Sequence, residues 1–405
     1  MKSELGLRRL VSGGSVLAAG AFVQAGLGLI AQLILMRLLL PEEFGEFVVV
    51  LALCGVIQMV LSLRLNVQII RVPDDQMTPA RHDSYRAALV WESAASALVT
   101  LLWLAWTGML TPLALLLVGA LMLGQWSNQN VAFYERGMAY GRIVMVETGS
   151  QILGHALAVA LVLTGFGAAA LYLREMAVAM TRVVAFAWIG ALSKPLWRWL
   201  GWSDWCRLIR EARGLWVDGL LESGLARFIV LGTAATGSTH GVGIFAQSQR
   251  LATIPHQLMA PAVIRLSANL FSRLTDDTRR RALLVRLTMA SLAALAIAAA
   301  VMVVLAEPVI PPLLGKHWRP ATQVVIAMAG IVLFYSPFEL LRSYCISRHR
   351  MHLVLVARLV QYGVFLVALL LARTADDPIL TLAWGVSATY ALSFLVLATA
   401  LARRH

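Results

Sequence analysis

Five arginines lie inside stretches of sequence that are otherwise apolar. They are Arg64, Arg174, Arg182, Arg227 and Arg250. An arginine at the centre of a bilayer costs about 2.5–3.5 kcal/mol on the insertion scale, so we expect most of the five to face protein or a water-filled cavity. A guanidinium fork stays charged and binds phosphate or carboxylate oxygens through two parallel hydrogen bonds. These positions are therefore typical of an anion site.

Two ordinary roles compete with that interpretation. Glu175 and Arg182 are seven residues apart, on one helical face, and could form only a buried ion pair. An arginine near a helix end can also extend its head group to the membrane surface. That alternative applies to three arginines: Arg64, Arg174 and Arg182. Arg227 and Arg250 are harder to explain in this way.

Polar side chains also recur at helical spacing. In the second apolar segment of the hairpin 215–265, four residues at spacings of three, three and four share one face: Gln247, Arg250, Thr253 and Gln257. Further stripes are Gln58, Ser62 and Asn66; Gln125, Asn128 and Gln129; and Glu147, Gln151 and His155. Amide groups in membrane helices often only join neighbouring helices, and ligand contact is the alternative. Glu147 and His155 could form a proton or cation site, or be a helix-end acid and a buried histidine.

The elements that position these residues are membrane helices. The chain has 405 residues, of which 60% are hydrophobic and 14% charged, whereas soluble proteins have about 25% charged residues. Apolar runs reach the roughly 20 residues that span a bilayer. The three cysteines show no pairing or metal-binding pattern. The net charge of +13 is explained by membrane topology, so we expect no nucleic-acid partner.

Twelve membrane helices are predicted, and the positions of the basic residues support that number. The predicted ranges are 12–39, 44–70, 87–108, 112–133, 142–164, 168–191, 215–235, 242–264, 283–305, 320–341, 352–372 and 378–401. Most of the 34 Lys and Arg residues fall in alternate loops and at both ends of the chain. Because positive loops stay in the cytoplasm, both termini are predicted to be cytoplasmic.

The longest basic loop divides the chain into two halves. We predict an N-terminal six-helix lobe over 1–192, a Trp-rich amphipathic cytoplasmic linker over 193–214, and a C-terminal six-helix lobe over 215–405. Six helices per lobe make the lobes parallel repeats. A short echo supports this, because Gly45 and Gly243 lie in similar segments, Phe44–Phe47 and Val242–Phe245, that are 198 residues apart.

Several catalytic and cofactor motifs are missing from the sequence. It has no Gly-rich phosphate loop, no cluster of metal-ligand type and no Gly-x-Ser-x-Gly elbow. No predicted external loop exceeds roughly 15 residues, which argues against membrane glycan polymerases. We therefore expect neither an enzyme nor a cofactor or metal site.

Several stretches resemble the polysaccharide transporters of the MOP (multidrug/oligosaccharidyl-lipid/polysaccharide) superfamily, in particular Wzx-type flippases for lipid-linked oligosaccharides. Leu38–Phe47 is similar to the turn between helices 1 and 2, and Gly243–Leu251 followed by Pro255 is the clearest second-half motif. Further similar stretches are 67–71, 163–171 and 305–318. The chain departs from the family at Arg227, where an aspartate is common.

The resemblance implies two six-helix lobes that form a V around a cavity open alternately to either side of a bacterial inner membrane. It implies transport of a polyprenyl-diphosphate-linked oligosaccharide for surface polysaccharide synthesis. Polymerase or export proteins are possible partners, and membrane lipids surround the chain. The expected diphosphate and sugar contacts are Arg64, Arg174, Arg227, Arg250, Gln247 and Gln58, and the expected ion-coupling residues are Glu147 and His155. The alternatives are a MATE-like drug/cation antiporter and a non-transporting partner of a glycan-synthesis complex.

Overall fold

The secondary structure of the part that the structure, a computed structural model, describes consists of helices. That part comprises residues 24, 26–137, 140–258, 276–348 and 350–402, without the side chains of Asp218, Glu222 and Asp277. The helices up to residue 188 are α1 (Gly26–Leu38), α2 (Pro41–Leu61), α3 (Leu65–Arg71), α4 (Pro79–Trp106), α5 (Pro112–Asn130), α6 (Ala132–Glu135), α7 (Tyr140–Leu163) and α8 (Ala169–Trp188). The later helices are α9 (Trp202–Thr236), α10 (Thr239–Ala252), α11 (Asp277–Leu314), α12 (Ala321–Ala327), α13 (Ala329–Ser347), α14 (Met351–Ala372) and α15 (Pro378–Ala402).

The prediction of an all-α membrane protein is confirmed. Within the described ranges, six helices are long and apolar enough to cross a membrane, and a seventh span is formed if Lys316–Ala327 and α13, bent by 47°, count together. Among the helices that do not pass this test are α5, α8 and α9. These three carry many of the polar side chains singled out above, which lower their apolar character.

Several predicted helix ranges are wrong; that of 320–341, for example, is broken at Met328 into α12 and α13. The range 44–70 is not one helix, because α2 and α3 are separated by residues 62–64. The helix expected at 215–235 begins at Trp202, so the second half of the predicted linker belongs to α9. The basic residues there suggested a loop, but Glu211 of α9 accepts hydrogen bonds from Arg81 at 3.0 and 3.1 Å and from Tyr85 at 3.2 Å. These contacts hold the start of α9 against α4.

Side-chain caps explain where several helices begin. Thr78 and Thr111 each precede a proline, and their hydroxyl groups accept hydrogen bonds from the backbone N–H of Arg81 and Ala114. Proline at the first helical position has no N–H to leave unpaired, so Thr-Pro is a strong start signal for α4 and α5. Ser238 caps α10 in the same way.

The chain forms two compact units. The first contains residues 1–35 and 50–227, and the second contains residues 36–49 and 228–405. Both α2 and α9 run from one unit into the other. The first unit is built from α4, α5, α7 and α8, and the second from α11 and α13–α15. The predicted lobe boundaries, at 192 and 215, stay predictions.

Gly45 and Gly243, from the two similar segments noted in the sequence, contact each other's helix inside the second unit. A Cβ added to Gly45 would lie 2.0 Å from the carbonyl oxygen of Thr239, and one added to Gly243 would lie 1.8 Å from that of Pro41. The two contacts are reciprocal, since Pro41 and Thr239 are also 198 residues apart. Only glycine permits the starts of α2 and α10 to approach this closely.

The second unit also contains a buried polar network. The guanidinium of Arg358 binds Glu339 at 3.1 Å and Gln361 at 2.9 Å, and the Gln361 amide donates to Ser393 at 3.1 Å. Arg342 makes a second ion pair with Glu339 at 2.8 Å. Because the charges are paired and hydrogen-bonded, the network joins α13, α14 and α15 without leaving a buried arginine uncompensated.

Candidate functional site

A cavity of about 390 Å³ lies within the first unit. It is lined by the end of α2, the segment before α3, and by α5, α7, α8 and α9. Its polar lining residues are Gln58, Ser62, Arg64, Asn66, Gln125, Asn128, Gln129, Gln151, Glu175, Arg182, Ser223 and Arg227, with Trp216 beside them. The predicted stripe of Gln58, Ser62 and Asn66, which spans the end of α2 and the start of α3, thus faces one space with the stripe of α5 and with Gln151 of α7.

The break between α2 and α3 forms part of the cavity wall, and side chains satisfy its backbone. The N–H of Leu63 donates to the carboxyl group of Glu92 at 2.9 Å, and the Leu63 carbonyl accepts from Gln68 at 2.8 Å. The indole of Trp216 donates to the carbonyl of Val60 at 2.8 Å. Irregular backbone at membrane depth is tolerated where it lines a cavity, and Ser62 and Arg64 of this break line one.

Glu92 holds the break in place. Its carboxyl group, on the 5% exposed side chain, accepts hydrogen bonds from Gln125 at 2.9 Å and Gln129 at 2.5 Å as well as from Leu63. It therefore ties the α2–α3 segment to two turns of α5. The two glutamines donate their amide groups to Glu92, so their first role is to support the cavity wall.

Arg64 directly follows Leu63, which Glu92 anchors, and has a strained backbone. Its φ of 53° and ψ of 40° make it the one non-glycine residue with positive φ among the described residues. Such a left-handed conformation costs roughly 1–2 kcal/mol. Its guanidinium packs over Gly219 of α9, where a Cβ would lie 2.5 Å from the Arg64 Nε. In this position Arg64 contacts protein and lines the cavity, whereas the sequence had left extension to the membrane surface open.

Arg227 enters the cavity from α9 in a complementary way. Its guanidinium packs over Gly55 of α2, where a Cβ would lie 2.4 Å from the Arg227 Cζ. Each arginine thus occupies the space left by a glycine on the other element. Neither an ion pair nor a hydrogen bond joins Arg227 to another side chain in the described part of the protein.

The third cavity arginine, Arg182, is not paired with the glutamate that the sequence suggested. Arg182 donates to the Asn128 side chain at 2.7 Å. Glu175 instead pairs with its neighbour Arg174, with 3.3 Å between the charged atoms. The lining therefore contains three guanidinium groups and, among the side chains described, one carboxylate whose charge Arg174 compensates.

Three amide side chains remain available for a ligand. Gln58, Asn66 and Gln151 line the cavity, and none of them is hydrogen-bonded to another described residue. Gln58 was predicted to be a contact residue. Each amide offers both donors and an acceptor, so together they can bind hydroxyl groups.

The remaining predicted residues lie outside this cavity. Arg174 is buried beneath α7, with its stem against Gly154. His155 is buried beside Gly28, and Glu147 is half-buried, so the structure brings neither of them into the cavity lining. Gln247 is buried and Arg250 exposed on α10 in the second unit. The roles assigned to these residues stay predictions.

Sequence reasoning overlooked Glu92 and did not include Arg182 among the contacts. Glu92 falls inside the predicted helix 87–108 but belongs to no polar stripe at helical spacing, so it was not grouped with the other polar residues. The available signal was its apolar helix, since an acid at membrane depth marks a functional or structural partner. For Arg182, the alternative of an ion pair with Glu175 was given as much weight as a ligand contact, and the structure places its guanidinium against Asn128 in the cavity lining.

The geometry of this site suits a bulky anion with hydroxyl groups. Three guanidiniums provide donors for several oxygens, and charge-assisted hydrogen bonds of this type are about twice as strong as neutral ones. The volume is within the range of small-molecule pockets, about 300–1,000 Å³. A cationic ligand would meet repulsion from the same groups.

Comparison with known proteins places the chain in a family. The family model described as "Polysaccharide biosynthesis protein" matches residues 34–323. Among curated proteins, no match to the sequence was found. Among solved structures, lipid II flippase MurJ in an inward closed conformation is 11% identical over 95% of this chain and 87% of that chain, with a TM-score of 0.78.

Multidrug transporters have the same fold. An inward-facing MATE family transporter of the MOP superfamily is 12% identical, covering 97% of this chain and all of that one, with a TM-score of 0.66. A point mutant of the Vibrio cholerae MATE transporter VcmN is 14% identical over 100% and 99% of the two chains, with a TM-score of 0.57. These similarities establish the twelve-helix, two-lobe fold. The chain therefore belongs to the polysaccharide biosynthesis protein family and has the fold of the MOP superfamily.

Proposed function

We propose that this protein is a flippase that moves a polyprenyl-diphosphate-linked oligosaccharide across the bacterial inner membrane by alternating access. The observation that carries the proposal is the cavity of the first unit, where Arg64, Arg182 and Arg227 face one space. Membership of a polysaccharide biosynthesis family supports a glycan substrate. The fold shared with a lipid II flippase supports transport rather than catalysis.

The substrate's chemistry matches the cavity lining group by group. The diphosphate would lie between the guanidiniums of Arg64 and Arg227, and the first sugars would contact Gln58, Asn66 and Gln151. Guanidinium charge does not vary over physiological pH, so binding of the diphosphate would not require a protonation step. Glu147 and His155 remain proposed coupling residues, acting away from this cavity.

Cavity charge separates this proposal from its nearest alternative. A MATE-like drug/cation antiporter needs acidic groups to bind its cations, whereas the described lining has three arginines and a carboxylate already paired with Arg174. A non-transporting partner of a glycan-synthesis complex needs no polar cavity. Polymerase and export proteins are proposed partners of the flippase and not its alternatives.

Export in cells tests the proposal. In a strain that depends on this protein for surface polysaccharide, we expect Arg64→Gln/Arg227→Gln to abolish export and to cause lipid-linked oligosaccharide to accumulate, with normal protein level. The matched control is Arg319→Gln, which neutralises an exposed arginine outside the cavity. Normal surface polysaccharide in the double variant would overturn the proposal, as would equal loss in the control.

A further inference from the structure

A second cavity, of about 600 Å³, lies in the second unit and takes no part in the proposed transport site. It opens between the start of α11, the end of α13 and the end of α15. The distribution of basic residues predicts that all three of these helix ends face the cytoplasm. The cavity is therefore expected at the level of the inner leaflet.

The mouth of the cavity is basic. Arg281 at the start of α11 and Arg348 and Arg350 after α13 contribute to its lining. No carboxylate is among the lining residues that the structure describes. Basic pockets between membrane helices on the cytoplasmic side are typical binding sites for anionic lipid head groups.

The deeper walls are apolar. Leu284, Leu341 and Phe394 form a buried floor, while Val285 and Met289 are more than half exposed along one side. A pocket that is charged at one end and apolar along its length is complementary to an amphiphile with an acyl chain. An inorganic phosphate or a sugar phosphate would contact only the basic mouth of the cavity and leave the apolar walls uncovered.

One buried hydroxyl group in the cavity wall favours an amphiphile that carries a hydrogen-bond acceptor below its head group. Thr288 lines the cavity, is 8% exposed, and its Oγ1 has no hydrogen-bond partner among the described residues. It lies two turns below Arg281, about 10 Å along the helix axis. A buried hydroxyl without a partner costs free energy, so an acceptor carried by a ligand would stabilise it.

We propose that this cavity binds an anionic glycerophospholipid of the cytoplasmic leaflet. The phosphate contacts Arg281 and Arg350, an ester carbonyl accepts a hydrogen bond from Thr288, and an acyl chain lies along Met289 and Phe394. A polyprenyl carrier has a phosphate and an apolar chain but no ester carbonyl, so Thr288 favours the glycerolipid. The site is separate from the transport cavity and does not depend on the proposed transport function.

Lipid titration of the purified full-length protein in neutral detergent, followed by native mass spectrometry, tests the site. We expect dioleoyl phosphatidylglycerol to bind about tenfold or more tightly than dioleoyl phosphatidylcholine. Arg281→Gln/Arg350→Gln should remove that preference, since each basic residue near a lipid surface contributes several-fold. Thr288→Val should weaken phosphatidylglycerol binding about three- to tenfold through loss of one hydrogen bond.

Two controls make the result decisive. Arg279→Gln removes one positive charge from the same helix, but the Arg279 side chain is 82% exposed and lies outside the cavity. This variant should therefore bind phosphatidylglycerol as tightly as the wild type. Thermal unfolding without added lipid checks that every variant is folded. Equal binding of the two phospholipids would overturn the proposal, as would equal loss in Arg279→Gln. Tighter binding of polyprenyl phosphate, unaffected by Thr288→Val, would overturn it in favour of the carrier lipid.

Discussion

At the scale of single residues, two glycines determine where the cavity's charges lie. Gly55 and Gly219 leave the spaces that the guanidiniums of Arg227 and Arg64 occupy. The side chains involved are long and flexible, so an added methyl group would displace a charge without breaking a helix. A substitution at either glycine should therefore reduce export while leaving the stability of the protein nearly unchanged.

Alanine substitutions test that separation. We expect Gly55→Ala and Gly219→Ala to reduce export at least about tenfold, because a displacement of roughly 1 Å at a binding group is enough for a large loss. Unfolding temperatures in detergent should change little. The control is Gly124→Ala, a cavity-lining glycine with no atom within 4 Å of an added Cβ. Loss of export in that control would mean that any change in the lining is harmful, contrary to the account.

At the scale of elements, the break between α2 and α3 presents Arg64, and Glu92 maintains the break. Nothing in Ser62-Leu63-Arg64 marks a helix end, because the segment contains neither glycine nor proline. Its non-helical backbone is held by hydrogen bonds between Leu63 and the side chains of Glu92 on α4 and Gln68 on α3, and Trp216 of α9 donates to the carbonyl of Val60 just before the break. Such a feature depends on tertiary contacts, which explains why a continuous helix was predicted there.

Replacing the carboxyl group of Glu92 tests this role. We expect Glu92→Gln to lower the free energy of unfolding by about 1–3 kcal/mol, because the new amide group can satisfy fewer of the three donors. Export should fall further than in a variant that loses the same free energy of unfolding through a change outside the cavity wall. The comparison variant is Glu211→Gln, which breaks a partly exposed pair with Arg81 and should cost at most about 1 kcal/mol. A Glu92→Gln protein with normal stability and export would refute the role.

The crossing of α2 and α10 is a second element-scale feature. An added methyl group at Gly45 or Gly243 would overlap a backbone carbonyl, which cannot rotate away as a side chain can. We expect Gly45→Ala and Gly243→Ala each to destabilise the protein by about 1–3 kcal/mol, as overpacking does. Thermal unfolding and membrane protein level measure the effect. Gly363→Ala, with open space at the Cβ position, should behave as wild type, and equal behaviour of all three would contradict a close crossing.

At the scale of the whole molecule, the sequence predicted the fold class and much of the cavity. Apolar runs and basic loops predicted the all-helical membrane fold, and helical spacing grouped the polar stripes that the structure brings together. Arg64, Arg227 and Gln58, three of the predicted contact residues, line one cavity, and their roles stay predictions. Periodicity could not reveal which helices meet, so it missed the Glu92 anchor and the pairing of Glu175 with Arg174.

Three of the helices that line the cavity, although the sequence predicted them, are less apolar than the clear membrane spans. A helix that lines a polar cavity has fewer apolar residues than one surrounded by lipid, and α5, α8 and α9 illustrate this. Charges that weaken the membrane signal are the ones that form the site. For this family, polar interruptions in predicted spans are informative about function.

Translocation in proteoliposomes tests the central claim most directly. Purified wild-type protein and Arg64→Gln/Arg227→Gln would be reconstituted at equal density with a polyprenyl-diphosphate-linked oligosaccharide. Transfer of the glycan across the membrane would be followed by its accessibility to an external glycosidase. We expect the double variant to transfer the glycan about a hundredfold more slowly or worse, since each charge-assisted hydrogen bond contributes about 1.5–3 kcal/mol. Equal rates for the two proteins would contradict it.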